Sequence, residues 1–573
     1  MTFPFPEKKE NLVIENIRPL IDCGQFPLKR EPGDWVEVKA DLFRCSHEKY
    51  DAAIHYRNKG QKKWRIAPME HLVNDEWEGK FQVKSIGFVE YKIVAWTIEP
   101  KDTPTESPVY EVRVDPIFAR YSTWYEMFPR SQGKNPNGPA SWDDCIARLP
   151  DIEAMGFDTI YLVPIHPIGV TNRKGANDSL KAMPGEPGSP YAVGGPAGGH
   201  YDVDPELGTM EDFERFMAAC KKAGFRMVLD IALNCSPDHP YVKDHPEWFF
   251  HEPDGTIKFA ENPPKKYEDI YPFDYFNEEY QALWREIRDI IVYWHKKGFD
   301  MFRIDNPHTK PFSFWEWLIN DIKAKYPAVV FLSEAFTRPK MMHRLAKLGF
   351  DQSYTYFTWR EEKWELEEYF KELCQSPATE YMRGMLFPTT PDIFPPYLHN
   401  APASAFKMRI MLAATLSSIY GMYNGYELCE NEPNPDKEEL YHNEKYQYKT
   451  HDWDSPHNIK AFITRLNWAR SQFKALQEYD NLHFHHCDNE QIMVYSKTIA
   501  GGDAILVCIN LDPYHEQSGR VWIDMGALGL GDHDFYFLKD LITDQGFTWK
   551  GPENFVKLNP EQAPGHLLVV KKA

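Results

Sequence analysis

The chain has 573 residues, of which 42% are hydrophobic and 26% charged, a composition typical of a folded protein of three or four domains. Its 85 acidic and 65 basic residues give a net charge of −20, which excludes nucleic acid and anionic membranes as favoured partners. The start of the chain lacks a signal-peptide pattern, and nine scattered cysteines predict reduced thiols. Together these features predict a cytoplasmic protein.

Aromatic residues make up 15% of the chain, a fraction that suits stacking on sugar rings. A large core that uses many aromatic side chains is the alternative explanation.

Residues 1–117 carry short runs in which apolar and polar residues alternate. Examples are "WVEVKADLF" (35–43) and "FVEYKIVAWT" (88–97), with glycine, proline, asparagine or aspartate between the runs. Alternation with a period of two is typical of strands that are buried on one face. We therefore predict an N-terminal β-sandwich.

Residues 118–477 show a different pattern, in which short apolar strands are separated by helical stretches. Counting from "STWYEMF" (122–128) to "SSIYGMYNG" (417–425) gives eight strands, which predicts an α/β fold with a (β/α)8 TIM barrel. A doubly wound open sheet is the alternative, but no GxGxxG motif follows an early strand. The Gly- and Pro-rich stretch 169–200 predicts a long functional or mobile loop after the second strand.

Residues 478–573 return to alternation, as in "IMVYSKTI" (492–499) and "AILVCIN" (504–510). This pattern predicts a C-terminal antiparallel β domain of sandwich type.

Polar residues end four of the predicted barrel strands, and active sites of such barrels lie at the C-terminal ends of the strands. They are Asp230 and Asn234 on the third strand, Arg303 and Asp305 on the fourth, Glu334 on the fifth and Asp392 on the seventh. A buried ion pair that only closes the barrel is the alternative for Arg303 and Asp305. Three acids at one barrel mouth favour a functional site instead.

Two carboxylates on neighbouring strands suit glycoside chemistry. Retaining enzymes place such a pair about 5–5.5 Å apart, which is close to the spacing of adjacent parallel strands. Beside Arg303, we expect Asp305 to stay ionised and act as a nucleophile. Glu334, among apolar neighbours in "FLSEAF", is suited to hold a proton.

Four segments resemble the signature segments of the α-amylase clan of glycoside-active barrels. They are "DIALN" (230–234), "FRIDN" (302–306), "FLSEAF" (331–336) and "TTPDI" (389–393). The resemblance implies Asp305 as nucleophile, Glu334 as acid/base, Asp392 as stabiliser of the transition state, and Arg303 as the group that holds the nucleophile.

Other segments resemble one family of that clan, the α-1,4-glucan:maltose-1-phosphate maltosyltransferases. They include "CSPDHP" (235–240), "DNPHTKPFSFWE" (305–316) and "NGYELCENEP" (424–433), and the likeness runs from about residue 10 to the C-terminus. Cys235 stands where ordinary amylases carry histidine. The family implies maltosyl transfer from maltose 1-phosphate to an α-1,4-glucan, as in glycogen synthesis, with release of phosphate and without a cofactor or metal.

The same resemblance implies the residues that bind substrate. A phosphate pocket would consist of Ser189, Asn262 and Tyr267, with Lys265 and Lys266 adding positive charge. Contacts with the two donor sugars would come from Lys174, Asn234, Asn306, Lys445 and Tyr446. A solvated surface lysine is the alternative for Lys174 and for Lys266.

The chain departs from the family pattern at several points. Asn234 stands where glutamine is common, and Asp178 and Thr389 stand where asparagine is common. Well-known members also insert a helical bundle between sandwich and barrel, whereas residues 112–129 here pass directly from one to the other. Because that bundle contributes to the family's dimer, a homodimer is implied by resemblance alone.

Two other functions remain open from the sequence. One is a hydrolase or 4-α-glucanotransferase that uses a free α-1,4-glucan as donor on the same barrel. The other is a glycan-binding protein without catalytic activity, against which the intact Asp305, Glu334 and Asp392 argue.

Overall fold

The structure is a computed structural model that describes residues 12–45, 48–98, 103–136, 138–262 and 265–572, without the side chains of Asn262 and Lys265. The N-terminal part forms a nine-stranded sheet among these residues. Alternate residues of Trp35–Arg44, such as Val36 and Val38, are buried in its core, as the period of two requires. The strands are Leu12–Arg18, Leu28–Arg30, Trp35–Arg44, Tyr50–Asn58, Arg65–His71, Glu76–Gln82, Gly87–Thr97, Thr105–Glu106 and Tyr110–Val114.

The central part is a closed barrel of eight strands within the described residues, and the pairings between neighbours are parallel. This confirms the predicted fold class. The barrel strands, first to eighth, are Ser122–Met127, Thr159–Leu162, Arg226–Ile231, Met301–Ile304, Val330–Ser333, Gln352–Tyr354, Gly384–Leu386 and Ile419–Tyr423.

Helices follow each barrel strand and cover the outside of the barrel. Several are strongly amphipathic; Tyr280–Lys296, for example, buries Leu283, Ile287 and Ile291 on one face. No helix within the described part of the chain has an apolar stretch of the length that crosses a bilayer. The helices are Ile117–Arg120, Trp142–Ala154, Met210–Lys222, Pro240–Asp244, Tyr280–Lys296, Phe312–Lys325, Pro339–Leu348, Lys363–Leu373, Ala403–Leu416 and Lys460–Gln472.

The barrel interior changes from apolar to polar along the strands. Val228 and Met301 belong to an apolar cluster inside the barrel. Two residues further along the same strands, Asp230 and Arg303 are paired in register. Because alternate residues of a strand share one face, the apolar layer supports a charged layer at the C-terminal mouth.

Two predicted strand ends differ from the structure. Asn234 lies beyond the third strand, in the short strand Asn234–Cys235 that pairs with Tyr271–Pro272. Asp392 lies in a loop, since the seventh strand ends at Leu386. Pro388 and Pro391 lack the N–H group that a continuing strand would need.

The C-terminal part is an eight-stranded sheet among the described residues, and its pairings are antiparallel as predicted. The domain limits after residues 117 and 477 stay predictions. A further short hairpin, Ala260–Asn262 with Lys265–Tyr267, lies between barrel strands three and four. The sheet consists of Leu482–Cys487, Ile492–Thr498, Ala504–Asn510, Gln517–Trp522, Phe535–Asp540, Gly546–Lys550, Glu553–Leu558 and Gly565–Lys572.

The N-terminal sheet passes directly into the barrel, through the single short helix Ile117–Arg120. Buried charges join the two parts there. Lys323 contacts Asp115 at 3.1 Å and also binds Asp351, while Arg383 contacts Asp115 at 2.9 Å and Glu31 at 2.5 Å. These cations outweigh the effect of burial and hold the pKa of Asp115 below its ordinary value.

Replacing Asp115 by alanine should destabilise this junction, because Lys323 and Arg383 would each lose a buried partner. We expect a loss of about 3–5 kcal/mol and a lower melting temperature. The control is Asp143→Ala, which removes an exposed contact with Arg215 and should cost less than about 1 kcal/mol. Equal melting temperatures for the two variants would contradict the buried role of Asp115.

Candidate active site

Arg303 joins three carboxylates at the mouth of the barrel. Its Nη1 donates hydrogen bonds to Asp230 Oδ1 at 3.1 Å and to Asp305 Oδ1 at 2.9 Å. Its Nη2 lies 2.9 Å from Glu334 Oε1. The arginine side chain is only 4% exposed. A planar guanidinium presents five donors in a rigid fork, so two of its nitrogens can serve acids on three neighbouring strands at once.

Asp305 follows directly after the fourth strand and carries a stabilised negative charge. Burial by itself would raise its pKa, but Arg303 and then Lys310 outweigh burial, so the pKa lies below the ordinary value. Lys310 reaches back to this turn, donating to the backbone oxygens of Asp305 at 3.0 Å and Asn306 at 3.1 Å. Asp305 is therefore ionised at neutral pH.

Glu334 follows the fifth strand, and its pKa is shifted in the opposite direction from that of Asp305. Burial raises its pKa to about 8, against the opposing effect of Arg303 and with help from the negative charge of Asp305. Its Oε2 accepts a hydrogen bond from the backbone N–H of Asn306 at 3.1 Å. Asn306 has a φ of 43°, a left-handed conformation that asparagine tolerates. The two acids thus occupy one site in different protonation states at neutral pH.

Asp230 lies beneath these two acids and is wholly buried. It accepts hydrogen bonds from the hydroxyl groups of Tyr161 at 2.6 Å and Tyr191 at 2.9 Å. Burial raises its pKa to about 6 in spite of Arg303. Glu126, on the first strand, is also buried, and its Oε2 has no hydrogen-bond partner among the described residues. Arg303 is therefore the central cation of a layer rich in acids.

Asp392 reaches the mouth from its loop and is 37% exposed. Its Oδ1 accepts a hydrogen bond from Lys445 Nζ. The Lys445 ammonium also lies 4.8 Å from the ring centre of Tyr191 and 5.6 Å from that of Tyr446. The predicted stabiliser and two predicted donor-binding residues therefore lie together, through contacts between distant loops.

Lys174 Nζ lies 3.1 Å from the carboxylate of Asp178, the residue that stands where the family commonly has asparagine. It also lies 5.9 Å from the ring centre of Tyr267. It is buried, so the interpretation as a solvated surface lysine is wrong. Ser189 and Asn234 are buried too, and Asn234 Oδ1 has no hydrogen-bond partner in the described part of the chain. The side chain of Asn262 lies outside the described residues.

Sequence reasoning missed several residues of this region. Lys310 could have been found from its place in "RIDNPHTK", five residues after Asp305. Tyr191 and Lys437 lie in irregular loops, where no period marks an inward-facing residue. Lys437 binds Asp178 across 259 positions of sequence. Thr389, named above as a difference from the family pattern, is buried in the loop that carries Asp392.

His200, Cys235 and His239 form a buried group of three residues whose ligand atoms lie within 4.8 Å of one another. Each ring nitrogen already has a hydrogen-bond partner. The chain of bonds runs from the Tyr241 N–H to His239, from His239 to His200 at 3.0 Å, and from His200 to the Ala232 carbonyl oxygen. This arrangement satisfies both neutral imidazoles without an ion.

Replacing Arg303 by methionine should leave its three acids without their shared cation. We expect a loss of at least about 3 kcal/mol at pH 8. The loss should shrink at pH 5, because the carboxylates of the variant can then be protonated at lower cost.

The measurement is the melting temperature of wild type and Arg303→Met at both pH values, with Arg215→Met as an exposed control. A loss that is the same at pH 5 and pH 8 would argue against this charge balance.

Comparison with known families identifies three parts of the chain. Residues 10–102 match the N/S domain of α-1,4-glucan:maltose-1-phosphate maltosyltransferase, residues 126–311 match the catalytic domain of α-amylase, and residues 484–570 match the family described as "GLGE, C-terminal".

Solved structures with the same fold include an α-amylase from Lactobacillus plantarum. It is 22% identical with a TM-score of 0.60 and covers 79% of this chain and 100% of its own. A maltogenic α-amylase from Thermotoga neapolitana is 21% identical with a TM-score of 0.61 and covers 79% of this chain and 99% of its own. These likenesses support the barrel fold.

Curated relatives are similar over nearly the whole chain. The α-1,4-glucan:maltose-1-phosphate maltosyltransferase of Methylacidiphilum infernorum is 42% identical, with 98% of this chain and 96% of the relative covered. The enzyme of that name from Chlorobaculum tepidum is 40% identical, with 99% and 97% covered. Both alignments are longer than this chain, so the relatives contain residues that it lacks. The chain therefore belongs to the α-1,4-glucan:maltose-1-phosphate maltosyltransferases, glycosyltransferases of the α-amylase family.

Proposed function

We propose that the protein transfers maltosyl units from α-maltose 1-phosphate to the non-reducing 4-hydroxyl of α-1,4-glucans, with retention and release of phosphate. The observation that carries this proposal is the Arg303 site, where Asp305 is ionised and the pKa of Glu334 is about 8. A nucleophile and a proton donor on adjacent strands are what a retaining mechanism needs.

In the first step, a carboxylate oxygen of Asp305 attacks the anomeric carbon of the donor. The bond from this carbon to the phosphate oxygen breaks, and Glu334 donates its proton to that oxygen. The product is a β-maltosyl ester of Asp305 and free phosphate. Arg303 keeps the nucleophile charged before the attack.

In the second step, the 4-hydroxyl of the glucan attacks the same carbon and displaces Asp305. Glu334, now a carboxylate, accepts the hydroxyl proton. Two inversions restore the α configuration. Transfer instead of hydrolysis requires that the acceptor excludes water from the ester.

The residues around the acids support a charged sugar donor. Lys174 and Lys445 place two ammonium groups beside the site in a chain of net charge −20. Asn234 Oδ1, buried without a partner among the described residues, suits a sugar hydroxyl donor. Ser189, Asn262 and Tyr267 are the proposed phosphate ligands, and Asp392 the proposed stabiliser of the transition state. The names of the relatives support maltose 1-phosphate as donor.

The donor is tested by incubating the enzyme with α-maltose 1-phosphate and maltohexaose. We expect equal amounts of phosphate and of transferred maltosyl units, with chains that grow by two sugars. Asp305→Ala, which lacks the nucleophile, should release no phosphate at a measurable rate. Elongation from maltohexaose alone, without phosphate donor, would support the glucanotransferase alternative and reject the proposal.

The pH dependence tests the role of Glu334. Because the proton donor must be protonated and its pKa is about 8, kcat/KM for maltose 1-phosphate should fall as pH rises through about 8. Glu334→Gln cannot ionise, so this decline should vanish while the rate drops by about 10²–10⁴-fold.

α-Maltosyl fluoride provides the matched control, since fluoride leaves without a proton. Its first step, measured as fluoride release, should keep its rate above pH 8 and should be much less sensitive to Glu334→Gln. An alkaline decline that persists in Glu334→Gln with maltose 1-phosphate would assign the proton donor to another group.

A further inference from the structure

Asp178 connects two long loops that flank the candidate site. It lies in the loop 169–200, and Lys437 lies in the segment 431–451 that also carries Lys445. One carboxylate oxygen of Asp178 contacts Lys174 Nζ at 3.1 Å, and the other accepts a hydrogen bond from Lys437 Nζ. A single carboxylate is thus shared by one lysine of its own loop and one of the facing loop.

Lys437 makes more than a simple ion pair. Its ammonium also donates to the backbone oxygen of Asp178 at 3.0 Å and to that of Asn177 at 3.5 Å. Asn177 adds a further link between the loops, because its Oδ1 accepts a hydrogen bond from the backbone N–H of His442 at 2.9 Å. Surface pairs contribute little on average, but several contacts from one ammonium fix a geometry.

The backbone that Lys437 holds is an uncommon one. Asn177 has a φ of 53° and Asp178 a φ of 59°, so two consecutive residues occupy the left-handed region. Such conformations cost free energy and persist where surrounding contacts hold them. The bonds from Lys437 to both carbonyl oxygens supply contacts of this kind. The conformation in turn brings the Asp178 carboxylate to Lys174, which is buried beside Tyr267.

The charges of this group favour an anionic ligand. Asp178 neutralises one positive charge, so Lys174 and Asp178 alone would present none to a donor. Lys437 supplies a second cation, so these three side chains together carry one net positive charge. The carboxyl groups of Asp269 and Glu439 lie near them, and burial raises the pKa of both, that of Glu439 to about 7. The three side chains are largely buried, with exposures of 7% for Lys174, 20% for Asp178 and 31% for Lys437. Their charges are therefore screened less than those of free surface residues.

We propose that Lys437 acts through Asp178 on the binding of the sugar phosphate donor, by restoring beside Lys174 the positive charge that Asp178 removes. This inference rests on the proposed function and adds to it a determinant of donor affinity. Lys437 acts through Asp178 and Lys174, so its loss should affect KM far more than kcat.

The test compares KM and kcat for α-maltose 1-phosphate in four proteins. Lys437→Met should raise KM roughly tenfold, the effect of losing one partly screened charge, with kcat changed less than about threefold. Asp178→Asn should not raise KM, because both lysines stay charged. The double variant Asp178→Asn with Lys437→Met again keeps one net positive charge, and its KM should return to within about threefold of wild type.

Lys325→Met serves as the matched control, because Lys325 is 63% exposed and lies on an outer helix. It should behave as wild type. With α-maltosyl fluoride, which carries no phosphate charge, the effect of Lys437→Met on KM should be clearly smaller. If Lys437→Met lowers the melting temperature, the role of Lys437 is tested by comparing Lys437→Arg with Lys437→Gln. We expect a raised KM for the glutamine variant and an unchanged KM for the arginine variant.

The outcomes separate this inference from the function on which it rests. If the wild type transfers maltosyl units and Lys437→Met has an unchanged KM, only the role of Lys437 is overturned. The same holds if the double variant is as impaired as Lys437→Met. A wild-type protein that releases no phosphate from maltose 1-phosphate would overturn the proposed function and the inference together.

Discussion

The guanidinium group of Arg303 is the interaction on which the site depends. It lies between Asp230, Asp305 and Glu334, all within 3.1 Å of its nitrogens. Without this cation, three acids at the mouth of one barrel would repel each other and take up protons. With it, their pKa values separate, so that one acid is charged while another keeps its proton. Since Arg303 lies 2.9 Å from both acids, the difference between Asp305 and Glu334 comes from their other neighbours: Lys310 lowers the pKa of Asp305, whereas burial and the charge of Asp305 raise that of Glu334.

The rest of the structure maintains this layer from two sides. Below it, apolar residues such as Val228 and Met301 fill the barrel and exclude water, which strengthens the charge interactions above them. At the opposite end, Lys323 and Arg383 tie the N-terminal sheet to the barrel through Asp115. Above the layer, two long loops supply Lys174 and Lys445. The strands and the residues directly after them thus place Arg303, Asp305 and Glu334, and the loops place Asp392 and the two lysines.

Much of the acid layer was predictable from local pattern. The alternation in "MFRID" placed Arg303 and Asp305 on the inner face, and the structure buries Arg303 above the apolar layer and leaves Asp305 partly exposed at the mouth. Strand periodicity is a local property, so a short segment is enough to show it. The loop residues were less predictable. Asp392 was expected at a strand end but lies in a loop, where its partner Lys445 comes from 53 positions further along the chain.

The sequence by itself determined the barrel, the order of its strands and the identity of the acids that end them, because hydrophobic period and residue type are written locally. Only the tertiary structure decided which charges meet. Three contacts show this: Arg303 with Glu334, Lys437 with Asp178, and His200 with His239. Each joins residues that are far apart in the sequence, and local periodicity does not predict such contacts. Long-range contacts set the pKa values, and so the protonation states on which the proposed chemistry depends.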